Sequence, residues 1–225
     1  MERKRAWLSW STGKDSAWCL EMVRRQGEYE LKALLTTVNA EHNRVAMHAV
    51  RESLLRLQAE SAGLPLTIVP IPNPCPNAAY EEAMSQAIGR ARTEGITHMI
   101  FGDLFLEDIR RYRENQLTGT GITPVFPLWG LDTRQLASQM VEAGLEAVLT
   151  CVDPRKLDRS FAGRQFDAKL LADLPDRVDA CGENGEFHTF AYRGPMFRAP
   201  IEVDRGEIVE REGFVFADAL PRLRN

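Results

Sequence analysis

The sequence predicts an α/β fold, with a parallel sheet covered by helices on both faces and a smaller α+β part after it. Apolar runs typical of strands alternate with amphipathic helical stretches as far as residue 152, which is the pattern of parallel strands joined by right-handed crossovers. After Asp153-Pro154 the apolar runs become short and are separated by glycine-containing turns, which favours antiparallel hairpins. We therefore expect two domains, residues 1–152 and residues 153–225.

Each element of the first domain is predicted from its apolar residues and from glycine or proline at its end. Strand-like runs occur at 6–10, 31–38, 66–71, 96–101, 125–128 and 147–152. Between them, apolar residues at helical spacing predict helices around Trp18–Val23, Met47–Leu57, Tyr80–Ala91 and Leu106–Leu117, and over residues 132–143. Asn77 is expected to cap the third of these helices.

The second domain is expected to begin with one more helix, over residues 166–174, which Pro175 ends. Beyond it, the short runs 187–192, 199–203 and 208–216 predict antiparallel strands and hairpins, because they are punctuated by Gly194-Pro195, Asp204-Arg205-Gly206 and Gly213.

Composition and charge limit the functional classes. The chain has 225 residues, 44% of them hydrophobic and 27% charged, and a net charge of −4, which is ordinary for a globular protein and gives no extended nucleic-acid surface. No long apolar segment is present, so neither a signal peptide nor a membrane span is expected, and the cytoplasm is the expected location. Four scattered cysteines without a C-x-x-C pair predict neither a zinc site nor a disulfide framework.

The most informative segment is residues 11–16, Ser-Thr-Gly-Lys-Asp-Ser, between the first strand and the first helix. Backbone N–H groups and the helix dipole converge at such a turn, and they favour a bound phosphate. A Walker A loop is excluded, because Leu8 stands where that motif has its first glycine and Asp15 replaces its Ser/Thr. The alternative is a serine-rich turn that caps an ordinary helix.

This segment resembles the SGGKDS pyrophosphate loop of the N-type ATP pyrophosphatases, which cleave ATP between the α- and β-phosphates. Thr12 stands where that pattern has its second glycine, and its β-carbon restricts the backbone there. Other polar residues lie at the ends of predicted parallel strands, where ligands bind in such sheets: Thr37, Asn39, Gly102 and Asp103. His48 is expected to approach the nucleotide from the second helix.

A second polar segment covers residues 179–189, with glycines on both sides of Glu183 and Asn184. Glu186 and His188 are expected to share one face of a strand, because side chains repeat every two residues. A carboxylate beside an imidazole suits proton transfer, or the steering of ammonia towards an electrophile. The alternative is a polar hairpin turn.

Together, the loop and the late Cys-Gly-Glu-Asn-Gly-Glu-Phe-His-Thr segment resemble the diphthine–ammonia ligase family and its bacterial relatives. The resemblance implies a fold like that of the adenine nucleotide α-hydrolases and a small substrate domain. It also implies ATP-dependent amide formation, through an acyl-adenylate, from ammonia and a small-molecule or protein carboxylate. AMP and pyrophosphate would be released, with Mg²⁺ as the metal.

The resemblance also assigns roles. The catalytic candidates are Lys14, Asp103, Glu183, Glu186 and His188. The nucleotide-binding candidates are Ser11, Thr12, Gly13, Lys14, Asp15, Ser16, Thr37, Asn39, His48 and Gly102. The substrate-binding candidates are Arg110, Glu114, Asn184 and Thr189, and the Mg²⁺ candidates are Asp15 and Asp103.

Two other functions stay open at this point. One is an enzyme that modifies tRNA bases by adenylation, although the acidic chain and the missing cysteine pair argue against it. The other is a nucleotide-binding regulatory module without turnover. The oligomeric state is not determined by the sequence, and a homodimer is among the expectations.

Overall fold

A mostly parallel sheet forms the first part of the protein in the computed structural model, which describes residues 2–46 and 48–222. Its strands are β1 (Lys4–Ser9), β2 (Tyr29–Asn39), β3 (Arg44–Val45), β4 (Leu66–Ile71), β5 (His98–Ile100) and β6 (Thr123–Val125). The strand order is β3-β2-β1-β5-β6, and β4 pairs with β2. Only the two-residue β3 runs antiparallel to its neighbour within this described sheet. The predicted parallel sheet is confirmed.

Helices cover both faces of this sheet. The helices of the described residues are α1 (Lys14–Gln26), α2 (Glu52–Ala62), α3 (Asn77–Thr93), α4 (Glu107–Leu117), α5 (Thr133–Glu142) and α6 (Ala168–Asp173), of which α6 packs against α5. Along β1, Leu8 packs in one core cluster with residues of α1 and α2, whereas Trp7 packs in a second cluster with residues of α3. Alternate side chains of a strand point to opposite faces, so β1 joins the two halves of the core.

An antiparallel sheet follows, as predicted for the C-terminal part. Its strands are β7 (Glu146–Val152), β8 (Phe187–Arg193), β9 (Val203–Arg211) and β10 (Phe214–Pro221), in the order β8-β7-β10-β9. The prediction that residues 147–152 continue the parallel sheet is wrong, since β7 pairs antiparallel with β8 and β10. Both partners follow β7 in the chain, so the alternation that precedes it could not reveal them.

Three local predictions need correction. The second helix begins at Glu52 rather than near residue 47, because β3 pairs back onto β2 and Ala49 has a φ of 55°, which helical backbone excludes. Met47 lies outside the described residues. Pro76, not Asn77, occupies the N-cap of α3, and of the strand expected at 199–203 only Val203 belongs to β9. Within the described part of the chain, no helix is long and apolar enough to cross a bilayer.

An ion-pair cluster connects the two sheets. Asp218 on β10 accepts hydrogen bonds from Nη1 of Arg44 on β3, at 3.0 Å, and from Nε of Arg51 before α2, at 3.2 Å. Burial opposes the ionisation of Asp218, but the bonds from the two guanidinium groups outweigh it and hold the pKa of this carboxyl below its ordinary value. The cluster therefore stabilises the association of the sheets while Asp218 is ionised.

We expect Asp218→Asn to lower the free energy of unfolding at pH 7 by about 1–2 kcal/mol, because two arginines lose a half-buried partner. The pKa is lower in the folded protein, so the contribution is present above the unfolded pKa, near 4, and is lost as the pH falls through the folded value. Urea unfolding at pH 7 and pH 3 measures both effects. The matched control is Glu210→Gln, which removes an exposed partner of Arg159, and equal losses in the two variants would contradict a special role of Asp218.

Candidate active site

The loop between β1 and α1 leaves the N-terminus of the helix open to a ligand. The N-cap residue is Gly13, which has no side chain that could cap the helix. A β-carbon at this position would lie 3.2 Å from Cε1 of His48 and 3.3 Å from the carbonyl oxygen of Thr189. A side chain at this position would therefore force its neighbours to shift by a few tenths of an ångström. The backbone N–H groups of the first turn that have no capping side chain lie beside a site suited to an anion.

Thr12 adopts a conformation that is unusual for its type. Its φ is 71° and its side chain is fully buried, and a β-branched residue in the left-handed region is strained. Its carbonyl oxygen accepts hydrogen bonds from the N–H of Ala191 on β8, at 3.0 Å, and from Nε2 of Gln58 on α2, at 2.9 Å. The position thus keeps the backbone geometry that glycine adopts freely.

Strand β8 caps helix α1. The N–H of Lys14 donates to Oγ1 of Thr189 at 3.0 Å, across 175 residues of chain. The carbonyl oxygen of Thr189 lies 3.4 Å from Nδ1 of His48. A hydroxyl from the second sheet thus supplies the cap that the loop itself lacks.

The side chain of Lys14 is buried at the base of the site. Its Nζ donates to both carboxylate oxygens of Asp15, at 2.9 and 2.8 Å, and to the carbonyl oxygen of Cys181. It also lies over the rings of Phe166 and Phe187, at 5.5 and 5.4 Å from their centroids. Burial disfavours the ammonium, but Asp15 and the other acidic groups outweigh it and raise the pKa of Lys14. The charge is therefore retained.

A cavity of about 190 Å³ opens beside this lysine. Most of its lining comes from the end of β1 with the loop after it, the segment after β5, and the turn that leads into β8 with the start of that strand. His48 before α2 and Arg113 on α4 complete it. The lining residues are Ser9, Ser11, Lys14, Asp15, Ser16, His48, Phe101, Gly102, Asp103, Arg113, Cys181, Gly182, Glu183, Phe187, His188 and Thr189. The structure therefore brings the two polar segments of the sequence analysis into one cleft.

Glu183 connects the turn to the end of β5. Its Oε1 accepts the N–H of Leu104 at 2.9 Å. Burial raises the pKa of this carboxyl to about 7, and the carboxylates of Asp15 and Asp103 act in the same direction against the Leu104 hydrogen bond. Glu183 is therefore poised to exchange a proton near neutral pH.

Two histidines pack against each other in the cleft. The ring centroids of His48 and His188 are 4.5 Å apart, with an angle of 38° between the planes. Burial and the charge of Lys14 lower the pKa of His188 to about 4, and burial with His188 lowers that of His48 well below its usual value. Both imidazoles are neutral at pH 7. His48 lies in the turn before α2 and not on the helix, which corrects the prediction for it.

Asp103 is paired with an arginine that the sequence reasoning did not select. Nε of Arg113 lies 3.2 Å from Oδ2 of Asp103, and its guanidinium stacks over Phe101 at 4.8 Å. Arg110, the predicted substrate-binding arginine, instead bonds Glu114 at 2.8 Å and does not line the cavity. Arg110 and Arg113 lie on the same turn of α4, so their spacing in the sequence does not show which of them faces the cavity.

Several predicted residues lie outside the cavity lining. Thr37 and Asn39 belong to β2, and Oδ1 of Asn39 accepts backbone N–H groups of the following turn. Oε1 of Glu186 accepts the N–H of Asp179 at 3.1 Å and Nδ2 of Asn184 at 3.2 Å, which shapes the turn from within. Glu186 directly precedes β8, and its carboxylate does not line the cavity that His188 lines. The predicted site residues that do not line this cavity stay predictions: Thr12, Gly13, Thr37, Asn39, Arg110, Glu114, Asn184 and Glu186.

Two family models cover most of the sequence. The N-terminal domain of diphthamide synthase matches residues 4–122, which contain the loop, and the C-terminal domain of diphthamide synthase matches residues 132–218, which contain the turn. The chain belongs to the diphthamide synthase family. The resemblance predicted from the sequence is confirmed.

Curated relatives agree with this membership. The diphthine–ammonia ligase of Danio rerio is 27% identical over 92% of this chain and 89% of that protein. The diphthine–ammonia ligases of Bos taurus and Homo sapiens are each 30% identical over 50% of this chain and 44% of their own length. The match to the fish protein extends over both sheets, so the family relationship is not limited to the loop between β1 and α1.

We expect Thr189→Val to lower the free energy of unfolding by about 1 kcal/mol, because the N–H of Lys14 loses its cap. Thr189→Ser keeps the hydroxyl and serves as the matched control, with a loss of less than half as much. Urea unfolding followed by circular dichroism makes the comparison. Equal stabilities of the valine and serine variants would show that the hydroxyl does not cap α1.

Glu183 should make the stability of the protein depend on pH. Its pKa is raised to about 7 in the folded state, so the folded state binds more protons than the unfolded state between about pH 4.5 and 7. Glu183 therefore contributes a fall in the free energy of unfolding as the pH rises through this window, whereas the lowered pKa values of His48 and His188 contribute a rise over an overlapping range. Glu183→Gln should remove the falling contribution, so the free energy of unfolding of the variant relative to that of the wild type should rise from pH 4.5 to 7, and a constant difference would contradict the assignment.

Proposed function

We propose that this protein is an ATP-dependent ligase that joins a carboxylate to ammonia through an acyl-adenylate, with release of AMP and pyrophosphate. The observation that carries the proposal is the single cleft in which the open N-terminus of α1 and Lys14 meet the Glu183 turn. The printed names of the relatives, diphthine–ammonia ligase, support an amide-forming reaction.

The N-terminus of α1 suits the pyrophosphate end of ATP. Its free N–H groups and dipole attract an anion, and the hydroxyls of Ser11 and Ser16, whose oxygens are 3.2 Å apart, add donors from the loop. Lys14 holds its charge next to this position while it is paired with Asp15. On binding, we expect the ammonium to exchange part of its contact with Asp15 for a phosphate oxygen.

The acidic residues fit a Mg²⁺ ion. Asp15 and Asp103 both line the cavity, and Mg²⁺ commonly takes one or two carboxylates together with phosphate oxygens and waters. Among residues 2–46 and 48–222, no cluster of three or more His, Cys, Asp and Glu side chains could hold a metal alone. When bound, Mg²⁺ would neutralise charge on the pyrophosphate.

The first step is adenylation of the carboxylate. An oxygen of the substrate carboxylate attacks the α-phosphorus of ATP, and the bond from that phosphorus to the bridging oxygen of the β-phosphate breaks. Pyrophosphate leaves with the electron pair, where Lys14 and the N-terminus of α1 stabilise its charge. The product is an acyl-adenylate, which must be protected from water by the walls of the cleft.

The second step is attack by ammonia on the acyl carbon. The C–N bond forms, the nitrogen loses a proton, and AMP leaves with the electrons of the acyl–oxygen bond. Glu183, with a pKa of about 7, is suited to accept that proton. The neutral rings of His48 and His188 lie in the same cavity and offer lone pairs to the N–H groups of ammonia.

The test measures the products of ATP in the presence of Mg²⁺, ammonium and a panel of carboxylates. A carboxylate labelled with ¹⁸O in both oxygens should transfer one label to AMP, because its oxygen attacks the α-phosphorus. We expect Lys14→Ala to lose roughly 100-fold or more in pyrophosphate release, since the leaving group loses a fixed charge. Lys32→Ala, which removes an exposed lysine paired with Glu30, is the matched control.

Other products would identify other functions. Formation of ADP and labelled phosphate would replace the adenylate by an acyl phosphate. Transfer of AMP to tRNA would favour the base-modifying enzyme. ATP binding without turnover under any of these conditions would favour a regulatory module.

A further inference from the structure

Gln58 is a polar residue in an apolar position. It lies on the buried face of α2 and is fully buried itself, and the other buried residues of that face are all apolar: Leu54, Leu55, Ala59 and Ala62. Burying an amide costs free energy unless its hydrogen-bonding groups find partners. A leucine or methionine would fill the same space without this cost, so the position needs an explanation beyond packing.

The side-chain amide of Gln58 forms hydrogen bonds to the loop between β1 and α1 and to β8. Its Oε1 accepts Nε1 of Trp10 at 2.9 Å. Its Nε2 donates to the carbonyl oxygens of Thr12, at 2.9 Å, and Ala191, at 2.5 Å. The orientation of the amide follows from these partners, because the indole is a donor only and both carbonyls are acceptors only.

One of these partners is the strained residue of the loop. Thr12 has a φ of 71° although it carries a branched β-carbon, and it immediately precedes Gly13 and Lys14, which begin α1. A left-handed conformation at a non-glycine residue persists only when its surroundings hold it. Gln58 bonds the carbonyl oxygen of Thr12 and, through Trp10, also the residue at the other end of the same short turn.

We propose that Gln58 is a positioning residue, which holds Thr12 in the left-handed conformation and so directs the N–H groups at the start of α1 towards the bound anion. The need for Gln58 arises from the threonine. With glycine at position 12, the same backbone geometry carries no steric penalty, and the amide is largely dispensable. The proposal rests on the proposed function only in naming ATP as the anion.

The test is a double-mutant cycle of Gln58→Met and Thr12→Gly. Methionine keeps the length and volume of glutamine but removes the donors and the acceptor. The four proteins are compared by calorimetric titration with ATP and Mg²⁺ and by hydrogen exchange of the loop amides of residues 11–14, which needs no nucleotide. Gln86→Met, at an exposed position of α3 where the amide bonds Glu82, is the matched control.

We expect Gln58→Met to weaken ATP binding by about tenfold when Thr12 is present, because Thr12 can then leave its strained left-handed conformation and the loop loses its binding geometry. In the Thr12→Gly background, the same change should weaken binding by about threefold or less. Loop amides should exchange faster in Gln58→Met, and this effect too should shrink in the double variant. Exchange in α3 should stay unchanged, which separates loop positioning from general loosening.

Equal effects of Gln58→Met in both backgrounds would overturn the proposal, since the role of Gln58 would then not depend on the threonine at position 12. If Gln58→Met does not fold, a folded double variant supports the coupling to Thr12, and an unfolded double variant overturns it. If the wild-type protein does not bind ATP, the proposed function fails, while the exchange measurements still decide the role of Gln58.

Discussion

The site depends on the contact between β8 and the loop after β1. Thr189 caps the first N–H of α1, and the N–H of Ala191 bonds the carbonyl oxygen of Thr12. Both contacts come from the antiparallel sheet and end on a loop of the parallel sheet. The turn before β8 adds the carbonyl oxygen of Cys181, which binds Lys14. The cleft is therefore a joint product of the two sheets, and neither sheet contains it alone.

The balance of charge in the cleft explains its proton chemistry. Asp15, Asp103 and Glu183 face two cations, Lys14 and Arg113, and the two aspartates are paired with them. Among the described residues, Glu183 has only a backbone N–H as a hydrogen-bond partner, and it is half-buried. Burial and the two neighbouring carboxylates then favour its protonated form and raise its pKa to about 7. Burial raises the pKa of Asp15 as well, but there the pairing with Lys14 acts in the opposite direction.

The sequence predicted the parts of the site that are local in the chain. The loop, the strand-end Asp103 and the turn at Glu183 could be found, because each lies in a short motif or directly follows a strand. Gln58 and Arg113 were missed because their roles depend on partners that other elements supply. A glutamine among the apolar positions of α2 was a signal that could have been used for Gln58. No comparable signal separated Arg113 from the other arginines of α4.

The 175 residues between Lys14 and Thr189 have a consequence for biosynthesis. During translation, domains generally fold from the N-terminus, so the parallel sheet is available before β8 leaves the ribosome. Until then, α1 lacks its cap and the carbonyl oxygen of Thr12 lacks one of its two donors. Closing this long loop is a late event, because non-local contacts form slowly. The nascent chain therefore completes the proposed anion site only after β8 has been made.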